Sequence, residues 1–335
     1  MPSYRFCRPD DIPLLVRAVE RCVRADDPDE PEWTEESFRR GMREIDLWPS
    51  NSMVALDSAG EPVAVTIGTK RPEEVAVHRL GVRADHRRQG HGLHLLTSLS
   101  QKLAVLGPER LVAEVPEDRP AALACFAAAG WRREATLVDW RRPAEAAEAD
   151  EPVPAGLVEE LPVAELDAAG VLADAPTTAW CRTRRTLAQS ADRLAAAAIV
   201  SPERLEAWAV FESRAAAVAL HAAAAPEDRR GGDASACGGD GASVPSEPPG
   251  DDGSSPTLLS RREVPVRLLA FGCADPDHRP LLFGVLVRWL SSGAANRPLL
   301  LPRLTADELP PDLLAAHGFV PGRAWARLAA TARPL

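Results

Sequence analysis

The tripeptide Asp-His-Arg occurs twice, at 85–87 and at 277–279, each time after an apolar stretch of strand character and before an apolar helical stripe. A second landmark follows each one. Ala129-Gly130-Trp131 has its echo in His317-Gly318-Phe319, and the landmarks lie 45 residues apart in the first case and 41 in the second. Paired landmarks at nearly equal spacing indicate a duplicated unit, and 335 residues suffice for two domains. The chain must therefore fold into two similar bodies, each with a strand–loop–helix at its centre.

Two stretches punctuate the duplication. From Pro226 to Pro256, 22 of 31 residues are Gly, Ser, Pro or Asp, and Val244 is the only large apolar side chain. Such a segment buries too little surface to offset its ordering entropy, which predicts a disordered insert. Pro143–Pro154 is rich in Ala and Glu and bounded by prolines, the composition of a linker. The expected division is a first domain at 1–142, a linker at 143–155 and a second domain at 156–335 carrying the insert at 226–256.

Local signals in the first unit predict the order β-α-α-β-β-β-α-β-α-β. Asp10 is the expected N-cap of a first helix with Pro13 in its first turn, and Thr34 that of a second. Strands are expected at 4–7, 52–57, 62–70, 73–82, 111–115 and 131–140, and further helices at 90–106 and 119–129. This is an α/β (α+β) pattern.

Composition excludes several functions. With 39 basic against 49 acidic residues the net charge is −10, a poor basis for nucleic-acid binding. No apolar run approaches the ~18 residues of a membrane span, and Met1–Arg8 has no signal-peptide character. Six cysteines without a C-x-x-C pair read as reduced thiols of a cytoplasmic protein, with neither a disulfide frame nor a zinc site. His86, His91 and His94 lack a carboxylate or thiol to complete a set, so no metal is expected.

Chemistry concentrates in Leu80-Gly81-Val82-Arg83-Ala84-Asp85-His86-Arg87-Arg88-Gln89-Gly90-His91-Gly92-Leu93. A strand ends, a basic glycine-containing loop follows, and a helix begins near Gly90. A helix N-terminus offers unpaired N–H groups and partial positive charge, and glycine admits an anion closely, so the loop suits a phosphate or pyrophosphate. The third glycine of a dinucleotide fingerprint is replaced by Leu95, and the G-K-[ST] of a P-loop is absent.

Arg87-x-x-Gly90-x-Gly92 resembles the R/Q-x-x-G-x-G/A signature of the GNAT superfamily of acyl-CoA N-acyltransferases. The resemblance includes the strand end Arg79–Val82 and extends through Ala122, Phe126 and Gly130-Trp131. It covers residues 3–140 in detail and 156–332 in outline. It implies two GNAT-like domains, each a mixed, mostly antiparallel sheet flanked by helices. It implies acetyl-CoA as co-substrate, with N–H groups of Arg88, Gln89, Gly90, His91, Gly92 and Leu93 on the pyrophosphate and Arg87 adding charge. Main-chain groups of Leu80, Gly81 and Val82 would pair with pantetheine, and the Val82 N–H would polarise the thioester carbonyl. A primary amine would then attack the acetyl carbon directly. The family's frequent tyrosine acid is replaced here by Phe126, and Tyr4 is the only tyrosine.

Three residues are candidates for the base that relieves the amine of its proton. Strand alternation puts Glu74 and His78 on one face, unless a β-bulge intervenes, and Glu114 ends the next strand. The seven acids of Asp26–Glu36 read either as a rim that draws a cationic amine or as a solvated loop and helix start. The acceptor is open: a small-molecule or peptide amine, with no nucleic-acid or membrane partner, on a monomer with pseudo-dimeric domains or a homodimer. The second copy places Leu282 where the first has Gly90, and Pro280 removes an N–H, so it is expected not to bind coenzyme A. The alternative to catalysis is a non-catalytic acyl-CoA sensor or scaffold, and a third reading is a structural tandem without ligand.

Overall fold

The computed structural model describes residues 2–27, 30–148, 150–173, 178–213, 265–293 and 297–334. The insert expected at 226–256 lies outside the described residues, as does Asp29 of the acidic run.

The first half runs β1 (Ser3–Phe6), α1 (Ile12–Cys22), α2 (Glu35–Glu44), β2 (Met53–Leu56), β3 (Pro62–Gly68), β4 (Glu74–Val82), α3 (His91–Leu106), β5 (Arg110–Pro116), α4 (Pro120–Ala128) and β6 (Arg132–Arg142). This is the order expected from local signals. The first helix starts one residue later than Asp10 predicts. The Asp11 carboxylate is taken up by Arg5 and the Arg8 N–H, each at 2.7 Å, so Pro9–Asp11 forms a 3-10 turn ahead of α1. Thr34 caps α2 as expected, its hydroxyl accepting from the Ser37 N–H at 3.0 Å.

The second half runs α5 (Glu145–Glu148), β7 (Glu159–Leu161), α6 (Val163–Ala168), α7 (Arg184–Gln189), β8 (Leu194–Val200), β9 (Leu205–Glu212), β10 (Val266–Cys273), α8 (Arg279–Gly293), β11 (Leu299–Leu304), α9 (Pro311–Ala316) and β12 (Val320–Thr331).

Each half puts helices on both faces of its strands, because alternate side chains of every central strand are apolar on both sides. Ile12, Leu15 and Val19 of α1 meet Val65 and Ile67 of β3 on one face. Leu96, Leu99 and Leu103 of α3, with Phe126 of α4, meet Val75, Val77, Leu111 and Ala113 on the other. In the second half Phe283, Leu286 and Leu290 of α8 occupy the place of the α3 stripe.

All twelve strands form one sheet in the order β1-β2-β3-β4-β5-β12-β6-β11-β10-β9-β8-β7. Reversing that order and exchanging each strand for its counterpart six positions on in the chain reproduces it, so the duplication is a pseudo-two-fold. The axis passes between β12 and β6. The last strand of each half is therefore built into the other. β12 pairs antiparallel with β5 from Trp325↔Pro116 to Thr331↔Arg110, and β6 pairs antiparallel with β11. Side chains follow the backbone: Ala326 and Leu328 of β12 complete the core under α3, while Trp140 of β6 packs against the core under α8.

The exchange has a direct consequence for stability. Residues 1–142 expressed alone leave β5 without its neighbour and are expected to give no cooperative thermal unfolding transition, whereas the full chain does. In the full chain, Leu328→Ala is expected to cost about 3 kcal/mol in denaturant unfolding, the usual penalty for truncating a buried leucine.

Candidate active site

β4 and β5 run parallel and pair only from Glu74↔Arg110 to Val77↔Ala113. Beyond that point they diverge. On its other edge β4 stays paired with β3 as far as Val82↔Ala64, with one irregularity. Ile67 lies opposite Arg79 and Gly68 opposite Val77, which leaves His78 as the extra residue of a β-bulge. The bulge resets the alternation. Val75 and Val77 before it, and Leu80 and Val82 after it, all pack on the α3 side.

The backbone of the diverging edge is available. Arg83 donates its N–H to Val63 O at 2.9 Å, so Leu80 and Val82 are the non-bonded positions of the β3–β4 ladder. Their main-chain groups point away from β3, into the notch. The Val82 carbonyl accepts from Arg87 Nε at 3.0 Å, which leaves its N–H facing the opening. Gly81 pairs with Val65.

At the end of β4 a 3-10 turn, Ala84–His86, leads to α3. Arg88 has φ +62° and the N-cap Gly90 φ +84°, a left-handed position that glycine fills without strain. A Cβ at Gly90 would meet no atom within 4 Å, so the conformation is what requires glycine. Gly92 differs: a Cβ there would lie 3.0 Å from Cys125 Sγ, and the glycine lets α3 sit close on α4. His94 makes the first helical bond, to Gly90 O at 2.9 Å. The first-turn N–H groups of His91, Gly92 and Leu93 thus have no intrahelical acceptor. Arg87, Arg88 and Gln89 are exposed at the same mouth. Arg83 and His86 hold the Asp85 carboxyl far below its usual range.

The His91 side chain turns inward. It is 5% exposed, and its Nδ1 shares a 2.5 Å hydrogen bond with the Tyr4 hydroxyl. The Tyr4 ring also sits 4.0 Å from that of His94. Tyr4 therefore supports the base of the loop.

A cavity opens where β4 and β5 part, walled by Ala76, Val77, His78 and Arg79 on one strand and by Val112, Ala113 and Glu114 on the other. Ile45 closes one side. Trp180, Cys181 and Arg303 of the second half close the rest. His78 lies half-buried in it, its ring 6.0 Å from that of Trp33. Burial, with the guanidinium groups of Arg79 and Arg303, pushes the His78 pKa well below 6.5 and keeps the imidazole neutral. Glu114 lines the same cavity but is saturated. It accepts from Arg303 Nη1 at 2.5 Å, from the Trp180 N–H at 2.6 Å and from Arg327 Nη1 at 3.3 Å. Glu74 is not brought to the cavity. It sits at the paired end of β4, held by Arg110 at 3.2 Å and Arg327 at 3.6 Å.

Phe126 is 2% exposed and packs edge-on against Trp131, inside the core. Three acids of the run are paired within the fold. Glu30 accepts from Arg79 Nε at 2.7 Å and Trp33 Nε1 at 2.9 Å, Asp27 pairs with Arg119 at 2.9 Å and Glu35 with Arg39 at 2.8 Å. These contacts draw three of the acids into the fold, and the buried Glu30 fits neither a solvated loop nor a charged rim. Trp180, Cys181 and Arg303 escape sequence reasoning, because nothing in a strand pattern says which distant loop will close a cleft.

The second copy differs at each element. α8 begins directly at Arg279, with Pro280 in its first turn. A Cβ on Gly284 would lie 2.5 Å from His317 Cε1, so this glycine makes room for a side chain. Leu269 is the bulge residue of β10, between Leu268↔Phe211 and Ala270↔Val210. The notch between β10 and β11 is filled by Arg182, 4% exposed, which donates to Leu269 O at 2.6 Å, Arg303 O at 3.3 Å and Glu308 Oε2 at 2.5 Å.

The neutrality of His78 sets a pH dependence. Below 6.5 the unfolded chain takes up a proton at this position and the folded protein does not, so stability falls as pH drops through that range. The expected slope is up to about 1.4 kcal/mol per pH unit. Urea unfolding at pH 7.5 and 5.5 should show His78→Gln losing less stability than the native protein.

The sequence family described as acetyltransferase (GNAT) family matches residues 19–131. No curated protein sequence matches the chain. Among solved structures, a GCN5-related N-acetyltransferase from Sphaerobacter thermophilus is similar with TM-score 0.61 and 14% identity, over 99% of this chain and 96% of that one. A tandem GNAT protein from the clavulanic acid biosynthesis pathway is similar with TM-score 0.60 and 15% identity, over 100% of both chains. A GCN5-related N-acetyltransferase from Anabaena variabilis has TM-score 0.53 and 11% identity, over 99% and 73%. At such identities the likeness is one of fold, and it extends over both halves. The first half thus carries a match to the acetyltransferase (GNAT) family, and the fold of the whole chain is similar to that of a tandem GNAT protein.

Proposed function

We propose that the first half binds acetyl-CoA and transfers its acetyl group to a primary amine by direct attack in a ternary complex. The observation that carries this is the pairing of a left-handed Gly90 cap, with a bare first helical turn behind it, and a strand edge that diverges into a cavity. Both features flank the end of β4, where it parts from β5.

The pyrophosphate would lie on the N–H groups of 88–93, beside the exposed Arg87 and Arg88. Pantetheine would add to the β4 edge at Leu80–Val82, and its thioester carbonyl would accept from the Val82 N–H. The amine nitrogen attacks the acetyl carbon, the C–S bond breaks and coenzyme A leaves as thiolate. Neutral His78 takes the proton from the amine, directly or through water. Glu114, saturated by three donors, orients that wall and does not serve as the base. With Phe126 in the core no phenol protonates the thiolate, and a thiol of pKa ~8.5 leaves without one.

The second half would not bind coenzyme A. Aligned on the bulge, it has Leu269 at the position of His78 and, through the parallel registers Ala76↔Val112 and Arg267↔Leu300, Pro302 at the position of Glu114. Arg182 fills its notch.

Acetyl-CoA at about 100 times its dissociation constant should add about 2.7 kcal/mol to stability, read as a rise of several degrees in Tm. Gly90→Trp should abolish the rise, and an unchanged rise in that variant would remove the loop from the site. With an accepted amine, His78→Ala should lower kcat about 100-fold while leaving the acetyl-CoA shift intact. A retained shift with no thiol release over a broad amine panel would assign the site to binding alone.

A further inference from the structure

The proposed amine site receives three of its walls from the half that carries no chemistry of its own, and one of them has unused donors. Arg303 stands at φ +56° near the end of β11. Its N–H donates to Asp139 Oδ1 at 2.8 Å, its guanidinium stacks 4.0 Å over Trp325, and its Nη1 donates to Glu114. Nε and Nη2 of Arg303 have no partner among the described residues. Opposite it, Arg79 uses Nε on Glu30 and Nη1 on the His78 carbonyl, and its Nη2 likewise has no partner among the described residues.

Apart from the acceptor nitrogen of neutral His78, assigned to the reacting amine, the spare side-chain hydrogen-bonding capacity of the cavity is thus donor capacity. Its one carboxylate, Glu114, already accepts from two arginines and a main-chain N–H. A second ammonium brought here would find no open acceptor and two facing guanidinium groups. A carboxylate would find a planar, pre-oriented donor held in place by Trp325 and Glu114, the arrangement in which arginine binds carboxylates best.

We propose that the acceptor is an amino acid, an amine that carries a free carboxylate, and that Arg303 of the second half selects it by pairing with that carboxylate. This rests on the acetyl-transfer reading of the first half. It gives the second copy a role that needs neither coenzyme A nor a catalytic group.

The test compares L-amino acids with their own carboxamides, and lysine with cadaverine, in acetyl-CoA-dependent thiol release. The carboxamides have the less basic amines and are intrinsically the readier nucleophiles at pH 7.5, so a preference for the acids reports the site. The acids should be favoured at least 10-fold in kcat/KM, mainly through KM. Arg303→Gln should reduce the preference below 3-fold, Arg303→Lys should restore part of it, and the acetyl-CoA melting shift should persist in both. Because Arg303→Gln deprives Glu114 of a partner, the double variant R303Q/E114Q is measured beside it for amino-acid binding.

Equal use of the carboxamides, better use of cadaverine, or a preference that survives Arg303→Gln overturns the proposal. If no amine turns over, the transfer reading fails, and calorimetry of the same compounds on the protein, with and without coenzyme A, decides the inference. Arg303-dependent binding of the acids alone supports it, and no binding of any acid overturns it.

Discussion

The structure depends on one backbone arrangement, the insertion of β12 between β5 and β6. A strand edge in the middle of a sheet must be paired, because each buried N–H or C=O group without a partner costs about 1–3 kcal/mol. Here the partner of each central edge comes from the other half. The exchange also fixes the site. It sets Arg327 of β12 directly opposite Glu114 of β5, and through β6 and β11 it carries Arg303 to the same carboxylate. β5 is held by β12 along seven registered positions while β4 is held by β3, so the two strands are drawn apart from their outer sides. The notch opens where those two pairings part, at the His78 bulge of β4.

The loop that follows α6 ties the two notches together. Trp180 and Cys181 line the first, Arg182 fills the second, and Thr183 caps α7. Each residue is pinned from a different side. The Trp180 ring donates to Ile45 O at 2.9 Å and carries the guanidinium of Arg71 at 3.6 Å. Arg71 reaches on to Thr183 and Thr186 and pairs with Asp46 at 2.8 Å. Arg182 and Glu308 form a buried pair, both side chains 4% exposed. Buried pairs add little net stability over apolar packing, but breaking one by removing a partner costs about 3–5 kcal/mol. Such contacts act as locks. They permit this placement of the loop and penalise others, which makes Trp180 and Cys181 fixed walls. Burial keeps the Cys181 thiol protonated and so part of the wall chemically as well.

Much of this was legible in the sequence, and the limits of legibility have physical reasons. The order of elements in the first half follows from caps and periodicities that act within a few residues: the Thr34 capping box, the Gly90 cap and the leucine stripe of α3. The duplication showed in Asp-His-Arg because that turn links strand to helix in both copies. Sequence could not show the exchange of β6 and β12. An alternating strand has the same apolar pattern whichever strand lies beside it, and Trp140 reads as core without saying which core. The same limit applies to the site. Strand alternation brought Glu74 and His78 together, yet a bulge one residue wide and four positions of strand length separate them. The acids of 26–36 leave open a rim or a solvated loop in the sequence because two of their arginines, Arg79 and Arg119, are far away in the chain.

The exchange also gives the second copy a structural role that does not depend on its own notch. In two independent domains, a copy without function is under no structural obligation to the other. Here each half completes the other's core and sheet, so the second half remains necessary to the first whatever its own notch holds. The changes in it are those the fold tolerates. The bulge persists at Leu269, where a leucine stands in place of the imidazole of His78. Gly284 persists, but it now accommodates His317. Arg182 satisfies two strand carbonyls that would otherwise face an empty notch, at Leu269 and Arg303, and the second of these is the residue whose side chain reaches the first site. Closing the second notch thus steadies a wall of the first, and the two halves are coupled through Arg303.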